Sequence, residues 1–321
     1  MNDPESNHAT LVTGASGFVG QALTAKLRLH SHRVRAVTRA SSIRGASGET
    51  VQIDDIGPTT KWSNALAGCD TVVHLAARVH IALGKAADAD FHRINVEGTA
   101  NLALQAARAE VRRFVFLSTV KVNGELSGER PFVESDPPAP ADAYGRSKAQ
   151  AEEYLRDLAG KTGMEVVILR PPLVYGPEVK ANFLSLLRVV DAGVPLPLAS
   201  VENRRSLVYV GNLVDAIETC LRHPLAANQT FFVSDNVDLS IAELVFQLAA
   251  ALGRRSRLFA CPPALLRLAG RIAGKSEQVA RLTESLQIDV SRISKALTWR
   301  PPVNTQQGLA ETASWYLRQK T

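Results

Sequence analysis

Short apolar runs alternate with stretches whose apolar residues recur every three or four positions, and this rhythm runs through the first half of the chain. Leu11, Val12 and Thr13 read as a buried strand, and Ala22, Leu23, Ala25 and Leu27 mark a helix over 21–29. Val34–Thr38 and Val51–Ile56 read as the next strands, and a short helix over Trp62–Leu66 leads to a fully apolar fourth strand, Thr71–Leu75. The pattern then predicts a long helix over Asp88–Ala109, a strand over Phe114–Leu117, a helix capped by Asp142 and running to Leu158, and a strand over Glu165–Leu169. Apolar strands alternating with helices predict a parallel sheet covered on both faces.

Beyond Gly176 the rhythm breaks. A helix over Asn182–Ala192 and a Pro-rich loop over Pro195–Val201 precede Ser206–Val210, a helix over Leu213–Leu221 and Thr230–Val233, which read as a return to the sheet. From Ile241 the pattern is mainly helical and closes with a helix over Gly308–Leu317. We therefore expect residues 1–175 to form one domain, rejoined by segments within about 206–235, and residues 176–321 to form a smaller lobe.

Composition narrows the class. A 321-residue chain with 45% hydrophobic and 21% charged residues has material for a large core. No apolar run approaches the roughly 18 residues that span a bilayer, and the polar stretch Met1 to Ala9 lacks the blocks of a signal peptide. Cys69, Cys220 and Cys261 are too few and too scattered for a disulfide framework or a metal site, so a reducing, cytoplasmic setting is expected. The net charge of +6 is spread without interleaved aromatics, which argues against nucleic acid as a partner. Leu265, Leu268 and Ile272 share one side of a short helix with Arg267, Arg271 and Lys275 at four-residue spacing; a lobe helix packed on its apolar side is expected in preference to a membrane-surface helix.

The chemistry starts at the first strand. Gly14, Gly17 and Gly20 follow it at a G-x-x-G-x-x-G spacing and open a helix, an arrangement that brings backbone N–H groups and a helix dipole to a dinucleotide pyrophosphate. Thr38-Arg39 ends the second strand where a carboxylate would hold the adenosine 2′-hydroxyl, so NADP is favoured over NAD, with Arg39 stacked on adenine as the alternative. Asp54 and Asp55, followed by Ile56, are placed to meet the adenine, and the small residues of Leu75-Ala76-Ala77 let a cofactor cross the end of the fourth strand. His74, inside that strand, reads as a core residue. Tyr144 and Lys148 lie four apart on one helix face, where an ammonium and a nicotinamide cation together favour the phenolate. Such a tyrosine exchanges a proton at a carbinol or carbonyl oxygen while hydride moves at carbon, and Thr119 at a strand end can polarise the same oxygen.

In this combination the chain resembles the extended short-chain dehydrogenase/reductases, in their nucleotide-sugar epimerase/dehydratase branch. The matching stretches, in family order, are Thr13-Gly14-Ala15-Ser16-Gly17-Phe18-Val19-Gly20, His74–Ala77, Asn95-Val96-Glu97-Gly98-Thr99 and Tyr144–Lys148. The resemblance implies an α/β fold with a Rossmann-type doubly wound parallel sheet and a smaller, mainly helical C-terminal substrate-binding lobe. It implies Thr119, Tyr144 and Lys148 as the catalytic set, Lys148 also on the nicotinamide ribose, Ser16, Phe18 and Val19 on the cofactor, and Pro171 and Leu173 behind the nicotinamide. Asn95 is implied to be structural. For a UDP-sugar substrate it implies Asn182, Arg205 and Arg281 near the diphosphate or sugar, and it implies a homodimer through helices 88–109 and 142–158.

The variant Ser118-Thr119-Val120-Lys121-Val122-Asn123 and Arg39 resemble bacterial O-antigen and capsule enzymes that reduce a UDP-2-acetamido-2,6-dideoxy-4-hexulose. That reading is preferred on the cofactor argument, with a UDP-hexose 4-epimerase holding NAD as the alternative. No carboxylate pair adjoins Thr119, which disfavours dehydration. Non-catalytic NADP-binding relatives commonly lack the Tyr or Lys; both are kept here.

Overall fold

In a computed structural model of the chain, residues 9–39, 49–79 and 85–320 are described. The polar stretch expected over Met1–Ala9 lies outside them except for Ala9, which opens β1 (Ala9–Thr13). Then come α1 (Phe18–Leu29), β2 (Val34–Thr38), β3 (Glu49–Gln52), α2 (Ser63–Leu66) and β4 (Cys69–His74). A helical stretch follows as α3 (Lys85–Phe91), a π-helical segment His92–Glu97 and α4 (Gly98–Arg108). β5 (Arg113–Leu117), α5 (Ala143–Thr162), β6 (Glu165–Arg170) and β7 (Leu173–Tyr175) complete the alternating part. The remainder comprises α6 (Ala181–Asp191), β8 (Arg205–Tyr209), α7 (Val210–Arg222), β9 (Thr230–Phe232), β10 (Asp238–Leu239), α8 (Ile241–Ala251), α9 (Pro263–Ile272), α10 (Ser276–Thr283), α11 (Ser291–Leu297) and α12 (Thr305–Arg318).

Seven strands form one sheet in the order β3-β2-β1-β4-β5-β6-β9, and every pairing is parallel. The order reverses direction between β1 and β4, which opens a crevice at their C-terminal ends. Side chains alternate across the sheet as a period of two requires. Leu11, Val72 and Phe114 pack on the face covered by α4 and α5, with Leu102 and Leu155. Val12, Val73 and Val115 pack on the other face with Leu23 of α1 and Ile217 of α7. That second core is continuous with Tyr175, Phe183, Leu244 and Tyr316, so the C-terminal elements share buried apolar surface with the sheet.

Three expectations change. The expected return to the main sheet is made by Thr230–Phe232 alone; the strand expected over Ser206–Val210 runs Arg205–Tyr209 and joins β7 and β10 in a separate three-stranded sheet. The third strand ends at Gln52, so Asp54 and Asp55 lie in the loop beyond it. The single long helix is interrupted by the π-helical turn, in which Asn95 is buried. A wider turn carries one more residue, and such turns occur where a side chain must be aimed at a particular partner.

The helix expected to pack on its apolar side does the reverse. In α9, Leu266 packs on the core and Gly270 is buried, while Leu265, Leu268 and Ile272 are 55%, 52% and 81% exposed. Gly270 faces α10 so closely that a Cβ there would lie 2.6 Å from Val279 Cγ2. That close approach fixes which side of α9 turns inward.

Candidate active site

The crevice between β1 and β4 is shaped by backbone meeting backbone. Gly14 has φ +68°, and a Cβ on it would lie 2.8 Å from the Ala76 nitrogen; a Cβ on Gly20 would lie 2.1 Å from the Gly14 oxygen. Gly17 N–H donates to Gly14 O at 2.9 Å and caps α1 without a side chain. Ser16 and Gly17 are exposed, and Phe18, Val19, Leu75, Ala76 and Ala77 are partly exposed beside them. The turn therefore offers backbone N–H groups and an open helix start to a ligand lying across Ala76 and Ala77.

Beneath this crevice His74 is completely buried, with Nδ1 2.7 Å from Thr13 Oγ1 and Nε2 3.0 Å from Thr99 Oγ1. It stacks on Phe116 at 5.8 Å between ring centroids. Burial, reinforced by the Lys148 charge, pushes its pKa down to about 3, so it is a neutral core residue tying β1, β4 and α4 together.

α5 begins where the sequence placed it. Asp142 Oδ1 accepts from Gly145 N at 2.7 Å, and its Oδ2 accepts from Lys121 Nζ at 2.5 Å. A Cβ on Gly145 would lie 2.8 Å from the Lys121 oxygen, so the missing side chain lets the first turn of α5 rest on the Thr119–Asn123 loop. Thr119 sits at the head of a 3-10 turn, extended and partly exposed, its Oγ1 accepting from Lys121 N at 3.3 Å. Asn95 donates to Ser147 Oγ on α5 and to Arg78 O, both at 3.0 Å, and accepts from Arg78 N at 2.8 Å.

Tyr144 is partly exposed and its ring lies 6.2 Å from that of Phe91. Lys148 is 2% exposed, with Nζ 3.8 Å above the Phe116 ring. Burial lowers the Lys148 pKa to about 7, against the pull of Glu152. Burial raises the Tyr144 phenol above its ordinary value, and the Asp142 carboxylate adds to that. Both shifts run against an ionised phenol; a cation bound beside it would act in the opposite sense.

Under Thr119 lies a buried charge network. Glu152, fully buried, accepts from Ser118 Oγ at 2.5 Å, from Arg170 Nε at 2.9 Å and Nη2 at 2.5 Å, and from Arg156 Nη2 at 2.6 Å. Arg170 also donates to Asn123 Oδ1 at 2.9 Å. Burial alone would raise the Glu152 carboxyl, but the Arg170 hydrogen bonds and charge hold it low. The network locks the loop bearing Thr119 to α5 and to the end of β6. Sequence reasoning missed it; the available signals were an acid one helical turn after Lys148 and an Arg closing an apolar strand.

A second group of side chains, beyond the Thr119–Asn123 loop, is ionic. Lys121 Nζ lies 2.6 Å from Glu125 Oε1, and Arg281 Nε lies 3.2 Å from Glu125 Oε2. Arg205 is half-buried, its Nη1 donating to Glu284 O at 3.1 Å, and the Glu125 and Arg281 charges both act on it. Arg281 thus pairs with Glu125, whereas Arg205 is held by the Glu284 carbonyl. Asn182 is exposed in the first turn of α6. Pro171 is buried, its carbonyl accepting from Val120 N at 3.0 Å, and Leu173 is 44% exposed beside it.

At the adenosine end, Arg39 is exposed just past β2, and Asp54 is exposed. Asp55 Oδ2 accepts from Arg93 Nη1 at 2.6 Å, which holds its carboxyl below the usual range, and Ile56 is buried. Arg93 had no place in the sequence reading.

A parallel sheet with a glycine turn at its switch point, a Tyr–Lys helix and a strand-end hydroxyl define a dinucleotide-binding α/β protein of the oxidoreductase type. Residues 10–233 match the NAD dependent epimerase/dehydratase family, and the chain belongs to it. It is 44% identical over 321 residues to a UDP-glucose 4-epimerase of Vibrio cholerae, covering 98% of each chain. It is 29% identical to the N-acetyl-alpha-D-glucosaminyl-diphospho-ditrans,octacis-undecaprenol 4-epimerase of Escherichia coli O157:H7, covering 96% of this chain and 95% of that one. Among solved structures, MoeE5 in complex with UDP-glucose and NAD superposes with a TM-score of 0.79 at 25% identity, over 98% of this chain and 100% of that one. The chain is therefore an enzyme of a family acting on nucleotide sugars with a nicotinamide cofactor.

Proposed function

We propose that the chain is a UDP-hexose 4-epimerase that retains NAD. The carrying observation is the pairing of an intact Tyr144–Lys148 helix and Thr119 hydroxyl with 44% end-to-end identity to a protein of that activity. The preferred sequence reading, a 4-ketoreductase, thereby becomes the second reading; Arg39 at the end of β2 and the capture of Asp55 by Arg93 are the observations that favour it and NADP.

The turn at Gly14, Gly17 and Gly20, where a Cβ on Gly14 or Gly20 would strike neighbouring backbone, leaves its N–H groups open and fits a dinucleotide pyrophosphate; Leu75, Ala76, Ala77, Pro171 and Leu173 would flank its nicotinamide half and Ile56 its adenine. Bound there, the nicotinamide would accept and return a hydride at the sugar C4. Tyr144 Oη takes the 4-hydroxyl proton and later gives it back, Thr119 Oγ1 donates to the same oxygen, and Lys148 stands one helical turn from Tyr144 on the same helix. Arg205 and Arg281 grip the diphosphate while the sugar presents either face, and Asn182 contacts it from α6. We place the homodimer seam on α4 and α5, where Leu104, Ala107 and Tyr154 are partly exposed apolar groups.

Incubation with UDP-glucose and UDP-N-acetylglucosamine, with sugar analysis and NAD(P)H absorbance followed together, tests this. The C4 epimer appears without net cofactor change. Consumption of NADPH with a UDP-4-keto-6-deoxy sugar, and no epimer, overturns epimerisation in favour of the second reading.

A further inference from the structure

We propose that α9 and the segment leading into it dock the protein onto an anionic lipid surface. The first ground is orientation. Leu265, Leu268 and Ile272 recur at i, i+3 and i+7 on the side of α9 opposite Leu266 and Gly270, which face the body of the protein. The stripe therefore points straight outward, and Ile272, at 81% exposure, is as open as any large apolar side chain described. Phe259, three residues before Pro262 in the segment leading into α9, is also 50% exposed.

The second ground is charge. Between Glu243 and Glu277 the chain has Arg254, Arg255, Arg257, Arg267, Arg271 and Lys275 and neither Asp nor Glu, a formal +6 that equals the net charge of the whole chain. Arg254 is held by Asp191 and Arg267 by Glu284. Arg255, Arg257, Arg271 and Lys275 have no acidic partner among the described residues and are exposed. Arg267 and Arg271, four apart, lie along one flank of the apolar stripe.

Outward apolar side chains flanked by basic ones are what a helix lying in a bilayer interface presents: apolar groups enter the acyl boundary and basic groups meet the phosphates. A second copy of this chain is a poor fit, because a two-fold contact there would set one cationic field against another. No helix among the described residues is long and apolar enough to cross a membrane, so the contact is peripheral. α10, packed against α9, carries Arg281, which pairs with Glu125 in the ionic wall of the cleft. Docking would bring that wall close to the lipid headgroups.

The test is co-sedimentation of the full chain with vesicles of phosphatidylglycerol and phosphatidylcholine, and with vesicles of phosphatidylcholine alone. Binding is expected to the first and not to the second, and to fall as salt is raised. Ile272→Glu should weaken it at least about tenfold. Arg271→Gln should weaken it about fivefold, the effect of one cation at an anionic surface. Both side chains are exposed, so both variants should keep the wild-type melting temperature. Absence of binding to the anionic vesicles, or undiminished binding by Ile272→Glu, overturns the proposal. So does a lower assembly mass for Ile272→Glu in sedimentation velocity, which would assign the stripe to a second copy. Vesicle binding requires no sugar turnover, so this outcome is independent of the proposed reaction.

Discussion

The crevice at the ends of β1 and β4 and the ionic wall around Glu125 are held together differently. In the crevice the backbone of Gly14 touches that of Ala76, and Gly20 touches Gly14; there is no room for a side chain and little for movement. The ionic wall is made of long, partly exposed side chains: Glu125 pairs with Lys121 and Arg281, Lys121 also with Asp142, and Arg205 donates to the Glu284 carbonyl. One wall is rigid through sterics and selects by shape. The other carries more cations than acids, and its ion pairs would have to be exchanged for an anion to bind there. α5 stands between them, bound to the rigid side through Asn95 and to the ionic side through Asp142.

The largest test of this division lies on α5. Tyr144→Phe removes the group proposed to exchange the C4 proton while leaving both walls intact. Turnover should fall about 10²- to 10⁴-fold, with cofactor and UDP binding unchanged by calorimetry. Near-normal turnover would remove Tyr144 from the chemistry.

Next comes the rigid wall. Gly20→Val would drive a side chain into the Gly14 carbonyl, a contact that backbone on both sides cannot relieve. Overpacking of this kind costs about 1–3 kcal/mol of stability. NAD binding should weaken by more than tenfold, whereas UDP affinity should stay within about twofold. Equal losses of both would show that the two walls are one unit.

The buried charge under α5 gives a pH signature. Lys148 ionises near 7 in the folded protein against 10.5 when exposed, so between those values the unfolded chain binds the extra proton. Stability therefore rises with pH across that window, by up to a few kcal/mol, and the full cost of burying the ammonium is present below it. Lys148→Met should flatten the slope in chemical-denaturation midpoints measured from pH 6 to 10. A slope unchanged in Lys148→Met would place the titration elsewhere.

These contrasts also explain what the sequence disclosed. The rigid wall was legible because its determinants are local: three glycines spaced along one turn, a strand end of small residues, and a Tyr and Lys one helical turn apart. The Asp142 cap was legible for the same reason. The Glu152–Arg170 lock was not, since its partners lie 18 residues apart on different elements and a buried ion pair leaves no periodic trace. Arg281 and Glu125, 156 residues apart, met only through the fold. The α9 stripe misled because an amphipathic pattern states that a helix has an apolar side without stating whether that side is covered. Gly270, which draws the other side of α9 onto Val279, settled it.

The smallest effect expected is the most specific to the ionic wall. Arg281 is 41% exposed and Glu125 22%, so their pair is worth at most about 1 kcal/mol. A diphosphate arriving at Arg281 must first displace the Glu125 carboxylate, which then rests on Lys121 alone. Removing the cation should therefore cost less than a free phosphate contact would, and removing the acid should help. Arg281→Gln is expected to raise the UDP-sugar KM about threefold to tenfold, and Glu125→Gln to lower it about twofold to fivefold, with kcat little changed in either. In the double variant Glu125→Gln/Arg281→Gln the gain from Glu125→Gln should largely disappear, because the carboxylate acts through the Arg it occupies. If Glu125→Gln weakens UDP-sugar binding instead, Glu125 props the wall open rather than guarding it, and the ionic side is as preorganised as the glycine side.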